Sequence, residues 1–298
     1  MDIAQLLNQD EIKRVEEIKK GWSGDQKYYI QLNNGEELLL RMAPLEEFTR
    51  KATEYDTVKQ LFELGLTVPE PLDIKGVEEH VYSLFRWVAG EDADDVLPTL
   101  TPDLQYDLGY QSGEILRSMH QRIEVPKETE AWAESYNRKI DRNINNYLNG
   151  ELTYENGDLF LDYIEKNRSL IQNRPLAFQH GDYHSGNMIL SKENQLSIID
   201  FNRWDYGDPW EEFNRIDFTA LTSPLFASGQ LDGYFMGEPP LDFFRLLLLY
   251  ISVNTLNALP WAEKYSQMEV RTMQDKAEKV LEWYDSFKEV VPMWYKTC

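Results

Sequence analysis

Four polar residues in the second half of the sequence have the chemistry of a phosphoryl-transfer site. His180, Asp182 and Asn187 belong to the run His-Gly-Asp-Tyr-His-Ser-Gly-Asn, and Asp200 follows after two short apolar segments. Phosphoryl transfer requires a carboxylate near the acceptor hydroxyl, oxygen ligands for magnesium and a positive group on the phosphates. The pattern indicates that Asp182 orients or deprotonates the acceptor and that Asn187 and Asp200 bind Mg²⁺. His180 would fix the loop by hydrogen bonding.

A predicted β-hairpin positions these residues. The apolar runs 188–190 and 196–199 flank a polar turn at 192–195, which is the pattern of two short paired strands. We therefore expect Asn187 and Asp200 near the two ends of one ladder edge, where both could hold one ion. Asp and Asn also close turns routinely, but the whole set at this spacing favours function.

The first part of the chain is predicted to form an antiparallel sheet with one helix. Apolar residues alternate on both sides of the turn pair Asn34–Gly35, which predicts a hairpin. The run Val81–Phe85 predicts a further strand. Helical spacing of apolar residues predicts a helix over Glu46–Leu64.

The remainder of the chain is predicted to be mainly helical. Thr101 is a suitable N-cap and Pro102 suits the first position of a long apolar-faced helix. The fold class is therefore α+β. We predict an N-terminal nucleotide-binding lobe at 1–87, a hinge at about 83–90, and a C-terminal lobe at 88–298 that contains the catalytic loop and the acceptor site.

Composition indicates a soluble, cytoplasmic protein. The 298 residues are 42% hydrophobic, which is enough for a substantial core. No signal-peptide pattern opens the sequence, and Arg245 and Ser252 interrupt the longest apolar stretch, Phe243–Val253. The single cysteine, Cys298, excludes an internal disulfide. We expect no membrane partner.

The formal net charge is −22, from 52 acidic and 30 basic residues. Such a surface repels nucleic acid and anionic membranes and would attract a cationic ligand. Acidic surfaces also promote solubility, so charge alone identifies no substrate.

Several segments resemble the aminoglycoside phosphotransferase and choline kinase family. HGDYHSGN is similar to its catalytic loop, and IIDF with GDPWEEF is similar to its metal-binding aspartate and the segment beyond. GWSGDQKYY resembles its phosphate flap, LLLRM its third strand and YSLFRWVAGED its hinge. The resemblance covers almost the whole chain and implies a bilobal protein-kinase-like fold that binds ATP or GTP with Mg²⁺.

The same resemblance assigns roles to individual residues. It implies that Asp182 is the catalytic base and that Asn187 and Asp200 are the magnesium ligands. It implies that the nucleotide is bound by Ser23, Gly24, Arg41, Glu54, Ser83 and Phe85. Glu54 would pair with Arg41, which stands where many relatives have lysine; a guanidinium can bridge Glu54 and a phosphate, but its fork geometry differs from that of an ammonium.

The segment after Asp200 supplies candidates for acceptor binding. Asp205, Glu211 and Glu212 are the candidate substrate contacts. Glu211, Glu212 and Asp217 would belong either to a solvated face or to an acidic acceptor pocket. Asp208 would cap a helix that begins at Pro209. The predicted reaction transfers the γ-phosphoryl group to a hydroxyl of a cationic acceptor of the aminoglycoside type. Choline, an amino sugar or a macrolide are alternative acceptors.

Other function classes are less compatible with the sequence. A binuclear metallophosphatase needs histidines beyond the hairpin, and no histidine follows His184. Neither a G-x-x-x-x-G-K-[ST] loop nor a G-x-G-x-x-G turn is present. A catalytically silent nucleotide-binding protein of the same fold stays open, and Arg41 is the feature that supports it.

Overall fold

A computed structural model of the chain describes residues 7, 11–19 and 24–296. The chain divides into two units. The first unit comprises Met1–Asp92 and Asn187–Trp204, and the second comprises Ala93–Gly186 and Asp205–Cys298. The predicted nucleotide-binding lobe, 1–87, covers most of the first unit but omits residues 88–92 and 187–204.

The first unit is built on a five-stranded antiparallel sheet in the order β1-β2-β3-β5-β4. In chain order the strands are β1 Ile12–Glu17, β2 Gln26–Leu32, β3 Glu37–Pro44, β4 Pro71–Val77 and β5 His80–Arg86. The predicted hairpin is confirmed as β2 and β3, with Lys27 opposite Arg41. Gly35 adopts a φ of 90° in its turn, a conformation that glycine adopts without steric cost.

Alternate side chains along each strand point to opposite faces of this sheet. One face carries an apolar cluster of Ile30, Leu32, Leu38, Leu40 and Tyr82. Helix α1, Phe48–Glu63, packs on the other face, where the rings of Tyr55 and Phe85 lie 5.7 Å apart. The predicted helix is thus confirmed, except that Leu45–Glu47 form a separate 3₁₀ turn after Pro44.

A second, three-stranded sheet completes the first unit. It contains β6 Glu91–Asp92, β8 Met188–Leu190 and β9 Leu196–Ile198 in the order β6-β8-β9. β8 and β9 are the second predicted hairpin, and Asn194 takes a left-handed φ of 60° in its turn. Because β8 pairs with β6, the hairpin is joined to the first unit.

The second unit is mainly helical, as predicted. Its helices are α2 Ala93–Val96, α3 Pro102–Arg122, α4 Trp132–Leu148, α5 Gly157–Asn167, α6 Ile216–Thr222, α7 Pro224–Phe235, α8 Leu241–Ala262 and α9 Gln267–Trp283. A two-stranded antiparallel ladder joins β7, Ala177–Gln179, to β10, Asp205–Gly207. The predicted N-cap of α3 is confirmed, because the Thr101 hydroxyl accepts a hydrogen bond from the Leu104 amide.

Small residues allow α3 and α7 to approach closely. A Cβ atom added at Gly113 would lie 2.2 Å from the carbonyl oxygen of Gln230. One added at Gly229 would lie 2.2 Å from the carbonyl oxygen of Tyr106. Such separations exclude any side chain, so glycine permits this backbone contact. The contact also fixes Ser112 on α3, whose hydroxyl accepts a hydrogen bond from Gln230 Nε2 at 2.9 Å.

Helix α8 is long and apolar enough by composition to cross a membrane, but 72% of its apolar window is buried inside the protein. A core helix of a water-soluble domain satisfies the same criterion. Phe243, Leu247, Leu248 and Leu249 on this helix are fully buried. With an antiparallel sheet in one unit and a helical second unit, the predicted α+β class is confirmed.

Candidate active site

Glu212 holds the backbone of the loop that contains Asp182. Its carboxylate accepts hydrogen bonds from the amides of His180, at 2.6 Å, and Gly181, at 3.0 Å. His180 is fully buried, and its Nδ1 accepts a hydrogen bond from the Asp182 amide at 3.2 Å. His180 and Glu212 together therefore fix the backbone on both sides of Gly181.

Two further contacts anchor the end of this loop to helices of the second unit. The Tyr183 hydroxyl donates to the carbonyl oxygen of Ser112 on α3 at 2.7 Å. The Ser185 amide donates to Thr219 Oγ1 on α6 at 3.1 Å. Burial raises the pKa of Tyr183 well above its ordinary value, so the hydroxyl stays protonated and remains a donor. A loop anchored at so many points can present one side chain in a fixed direction.

The Asp182 side chain is held by a cation and remains partly exposed. Arg215 Nη1 donates to Asp182 Oδ1 in a short ion pair. His184 Nε2 lies 3.5 Å from the same oxygen. The side chain of Asp182 is 15% exposed and that of Arg215 is 24% exposed, so a ligand can reach this pair. The geometry provides an oriented carboxylate that can accept a hydrogen bond or a proton.

Asp208 forms a buried ion pair. Its carboxylate accepts hydrogen bonds from Arg174 Nε at 2.6 Å and from the Tyr250 hydroxyl at 2.6 Å. The expectation that Asp208 caps the following segment is confirmed, because its Oδ1 accepts a hydrogen bond from the Trp210 amide at 3.0 Å. The helix itself begins later than Pro209 and is a 3₁₀ helix, Glu211–Arg215. Arg174 binds the Asp208 carboxylate, a contact that the sequence pattern does not predict. Asp208 is therefore part of the internal scaffold.

The three predicted acceptor contacts have different environments. Glu211 is buried and accepts hydrogen bonds from Lys139 Nζ at 2.7 Å and Gln179 Nε2 at 3.1 Å. Burial raises the pKa of Glu211 although Lys139 opposes this shift. The alternative of a solvated face is wrong, since Glu211 and Glu212 are only 6% and 2% exposed and both bind other parts of the protein. Asp205 alone of the three is exposed, on β10.

In the first unit, the hairpin brings the two predicted metal ligands to one end. The Ile199 amide donates to the carbonyl oxygen of Asn187 at 3.0 Å, so Asn187 and Asp200 lie together at the open end of the ladder and not at its two ends. Asp200 has a left-handed φ of 64°. Its Oδ1 atom is buried and accepts no hydrogen bond, although Arg41 Nη1 lies 3.3 Å away.

Arg41 is the centre of a buried charge cluster in the same unit. As predicted, it pairs with Glu54 on α1, with Nη1 3.1 Å from Oε1. Its Nε donates to Asp25 Oδ2 at 2.9 Å. Lys51 bridges the same two acids, with Nζ 2.8 Å from Asp25 Oδ2 and 3.4 Å from Glu54 Oε2. The cluster therefore joins the sheet, the helix and the segment before β2.

Neighbouring charges keep Arg41 and Asp25 ionised. Burial would lower the pKa of Arg41, but Glu54, Asp200 and Asp25 outweigh burial and raise the pKa above its ordinary value. Burial would likewise raise the pKa of Asp25, but Arg41 and Lys51 lower it below its ordinary value. Arg41 and Asp25 are therefore both stabilised in their ionised forms.

Four of the six predicted nucleotide contacts line one narrow crevice of the first unit, which is too small to hold a water molecule. Arg41, Glu54, Ser83 and Phe85 line it, and Ser83 is directly opposite Arg41 in the β3–β5 register. Gly24 lies just before β2 and is exposed. Ser23 falls outside the described residues.

The sequence matches the phosphotransferase enzyme family over residues 14–244. The chain belongs to this family. A comparison with curated protein sequences gives no match.

Several solved structures share the fold at low sequence identity. A thermostable mutant of aminoglycoside phosphotransferase APH(4)-Ia, in complex with ADP and hygromycin B, superposes with a TM-score of 0.70 at 16% identity, covering 94% of this chain and 96% of that chain. A choline/ethanolamine kinase family protein from Mesorhizobium loti gives 0.67 at 16% identity, with coverage of 96% and 93%. An amicoumacin kinase with AMP-PNP, Ca²⁺ and Ami gives 0.66 at 13%, with coverage of 96% and 91%. These similarities show a phosphotransferase fold.

The hairpin end fits a magnesium ion of the kind that phosphotransferases use. Mg²⁺ is usually held by one or two protein carboxylates or carbonyls together with phosphate oxygens and water. The orphaned Oδ1 of Asp200 and the adjacent Asn187 match that pattern. Among the described residues no group of three or more His, Cys, Asp or Glu side chains could hold a metal by itself. The ion would therefore need the phosphates of a nucleotide.

Sequence reasoning missed Asp25, Lys27, Lys51 and Arg215. A signal existed for Lys27, because the register set by the Asn34–Gly35 turn places it opposite Arg41. Lys51 and Glu54 are one helical turn apart, which also brings them together. No local signal links Arg215 to Asp182, since the two lie on separate segments of the second unit.

Proposed function

We propose that this phosphotransferase transfers the γ-phosphoryl group of ATP, or of GTP, to a hydroxyl group of a small cationic acceptor. One observation carries this proposal. In a chain of the phosphotransferase family, Asp182 is a partly exposed carboxylate on a loop whose backbone is fixed by Glu212, His180 and Tyr183. A fixed carboxylate with access to solvent is what a hydroxyl acceptor requires.

Asp182 has the role of proton acceptor in the proposed reaction. The acceptor hydroxyl loses its proton to Asp182 while its oxygen forms a bond to the γ-phosphorus. The bond from that phosphorus to the bridging oxygen breaks, and its electron pair leaves with the nucleoside diphosphate. Asn187 and Asp200 would hold Mg²⁺, which supplies charge neutralisation at the phosphates when bound. Arg41, Glu54, Ser83 and Phe85 would form part of the nucleotide site.

A cationic acceptor agrees with the charge of the protein and with the family. The formal net charge is −22, and a ligand with ammonium groups would be attracted to such a surface. Proteins of similar structure include an aminoglycoside phosphotransferase, a spectinomycin phosphotransferase and a putative fructosamine-3-kinase. We infer an aminoglycoside or a comparable amine with several hydroxyl groups, with choline, amino sugars and macrolides as further candidates.

The composition supports a cytoplasmic location.

A nucleotide-consumption assay tests the function. The purified chain is incubated with Mg²⁺, ATP or GTP, and a panel of aminoglycosides, macrolides, choline and amino sugars. Asp182→Asn serves as the blank, because it keeps the shape of the side chain and removes the base. We expect acceptor-dependent turnover in the wild type and its loss in Asp182→Asn by a factor of about 10² to 10⁴. Turnover restricted to neutral or anionic acceptors would remove the cationic-acceptor proposal.

A catalytically silent nucleotide-binding protein is the second candidate. The observation that favours it is the guanidinium of Arg41, whose nitrogens face the carboxylates of Asp25, Glu54 and Asp200. Nucleotide binding measured by calorimetry, combined with an unbiased metabolite screen for phosphorylated products, separates the two. Tight binding with no product from any metabolite would favour the silent protein.

A further inference from the structure

Lys27 and Arg41 are neighbours on one face of the five-stranded sheet. They are directly opposite each other on β2 and β3, and Ser83 continues the row on β5. Directly opposite residues on antiparallel strands point to the same side of a sheet. Lys27 therefore lies on the face that carries the crevice formed by Arg41 and Ser83.

Arg41 is already surrounded by acids. Its Nε donates to Asp25 Oδ2 at 2.9 Å and its Nη1 donates to Glu54 Oε1 at 3.1 Å, with Nη1 also 3.3 Å from Asp200 Oδ1. Nη2 is buried and lies 2.7 Å from Asp25 Oδ2 but makes no hydrogen bond to any described residue. The Arg41 side chain is only 9% exposed. Binding a phosphate through this guanidinium would require breaking a buried ion pair, which is costly.

Lys51 is engaged in the same way. Its ammonium contacts Asp25 and Glu54 at 2.8 Å and 3.4 Å, and its side chain is 9% exposed. Arg41 and Lys51 therefore neutralise the two acids of the cluster. Both cations therefore hold the acids of the cluster, and neither can turn to a new anionic ligand without weakening a buried ion pair.

Lys27 differs from both. Within the part of the chain that the structure describes, its one ion-pair contact is Asp200 Oδ2 at 3.6 Å, which is longer than a hydrogen bond. Its side chain is 15% exposed, against 9% for Arg41 and Lys51. An ammonium has three donors, so Lys27 can donate hydrogen bonds to further anionic partners without losing a short contact.

We propose that Lys27, and not Arg41, provides the ammonium that binds the nucleotide phosphates. This inference rests on the proposed function. Lys27 would take the role expected of a lysine on the third strand, where this chain has Arg41. Asp200 would hold the ion beside the nucleotide phosphates, and Lys27 Nζ lies 3.6 Å from that carboxylate. Arg41 then acts as a positioning residue that holds Asp200 and Glu54.

Calorimetry on the full chain tests this assignment with two ligands. ADP with Mg²⁺ has phosphates, and adenosine has none. We expect Lys27→Met to weaken ADP binding about tenfold to a hundredfold, the scale of one charge-assisted hydrogen bond, and to leave adenosine binding unchanged. Lys27→Arg keeps the charge and should weaken ADP binding less. Lys75→Met is the control, because Lys75 is half-exposed on β4 of the same sheet.

The outcomes separate the two proposals. Wild-type affinity for ADP in Lys27→Met would overturn the assignment of Lys27 and leave the proposed function intact. Equal weakening of ADP and adenosine would show a general loss of structure in place of a phosphate contact, and would overturn the assignment too. Absence of ADP binding by the wild-type chain would overturn both proposals. A thermal melt of each variant, with Lys27→Gln as a polar replacement, guards against misfolding of Lys27→Met.

Discussion

Arg215 donates directly to the carboxylate of Asp182, and the two residues come from separate segments of the second unit. The loop fixes the backbone of Asp182, whereas Arg215 fixes the direction of its side chain. A guanidinium also binds a carboxylate with more directional preference than an ammonium does. The ion pair therefore orients the proposed base.

Replacement of Arg215 should reduce turnover more than it reduces nucleotide binding. In Arg215→Ala the Asp182 side chain loses its orienting partner, and small misplacements of a reacting group cost up to about a hundredfold in rate. We expect kcat to fall about tenfold to a hundredfold with little change in KM for the nucleotide. Arg215→Lys should recover part of the loss. Steady-state kinetics with a competent acceptor measures both constants.

Arg142→Ala is the matched control for Arg215, because Arg142 is exposed on α4. It should leave both constants unchanged. A rise in KM for the nucleotide with unchanged kcat in Arg215→Ala would contradict the orienting role, since that pattern indicates lost binding.

Removal of Glu54 should destabilise the protein. Glu54→Ala leaves Arg41 and Lys51 buried with one carboxylate fewer, and breaking a buried ion pair from one side costs about 3 kcal/mol. Urea denaturation would show this as a lower midpoint. Glu63→Ala, an exposed position on the same helix, should shift the midpoint little. Equal midpoints for the two variants would show that the cluster contributes no net stability.

Local patterns predicted the elements of this fold well. The Asn34–Gly35 turn with alternating apolar residues defined β2 and β3, and Thr101 with Pro102 defined the start of α3. These features are determined by residues close in sequence, so a single sequence contains the information. The pairing of Arg41 with Glu54 was available through the family resemblance.

Contacts between distant segments were not predictable in the same way. Arg174 binds Asp208 and Arg215 binds Asp182 through hydrogen bonds between distant segments. The spacing of residues within one segment does not predict such contacts. An acidic residue that follows a turn looks the same in sequence whether it is solvated or buried, so a solvated face and an acidic pocket both stayed open for Glu211, which is buried. Lys27 is an intermediate case, because the register of the predicted hairpin, extended by one residue pair, places it opposite Arg41.

Asp200 should control the magnesium dependence of nucleotide binding. Asp200→Asn keeps the shape of the side chain and removes the charge that would hold the ion beside the phosphates. We expect ADP affinity in the presence of Mg²⁺ to fall by about tenfold or more, while affinity in excess EDTA changes little. Asp73→Asn, exposed on β4, is the control. An equal loss with and without Mg²⁺ would argue against a metal ligand.

Gly113 should tolerate no side chain. An added Cβ would lie 2.2 Å from the Gln230 carbonyl oxygen, and overpacking of this kind costs about 1 to 3 kcal/mol. Gly113→Ala should therefore lower the melting temperature. Gln111→Ala, exposed on the same helix, should not. Unchanged melting of Gly113→Ala would mean that α3 and α7 separate without cost.

Asp25 should make the stability depend on acid pH. Arg41 and Lys51 overcome the effect of burial and hold the pKa of Asp25 below its ordinary value of 3.8, so the unfolded chain binds this proton first as the pH falls. Stability from Asp25 is therefore fully present above the unfolded pKa and is lost as the pH falls through the folded pKa. The difference in free energy of unfolding between wild type and Asp25→Asn should be constant from about pH 5 to 7 and shrink below about pH 4. Urea denaturation across this range measures it, and a difference that stays constant down to about pH 2.5 would show that the pKa of Asp25 is not linked to folding.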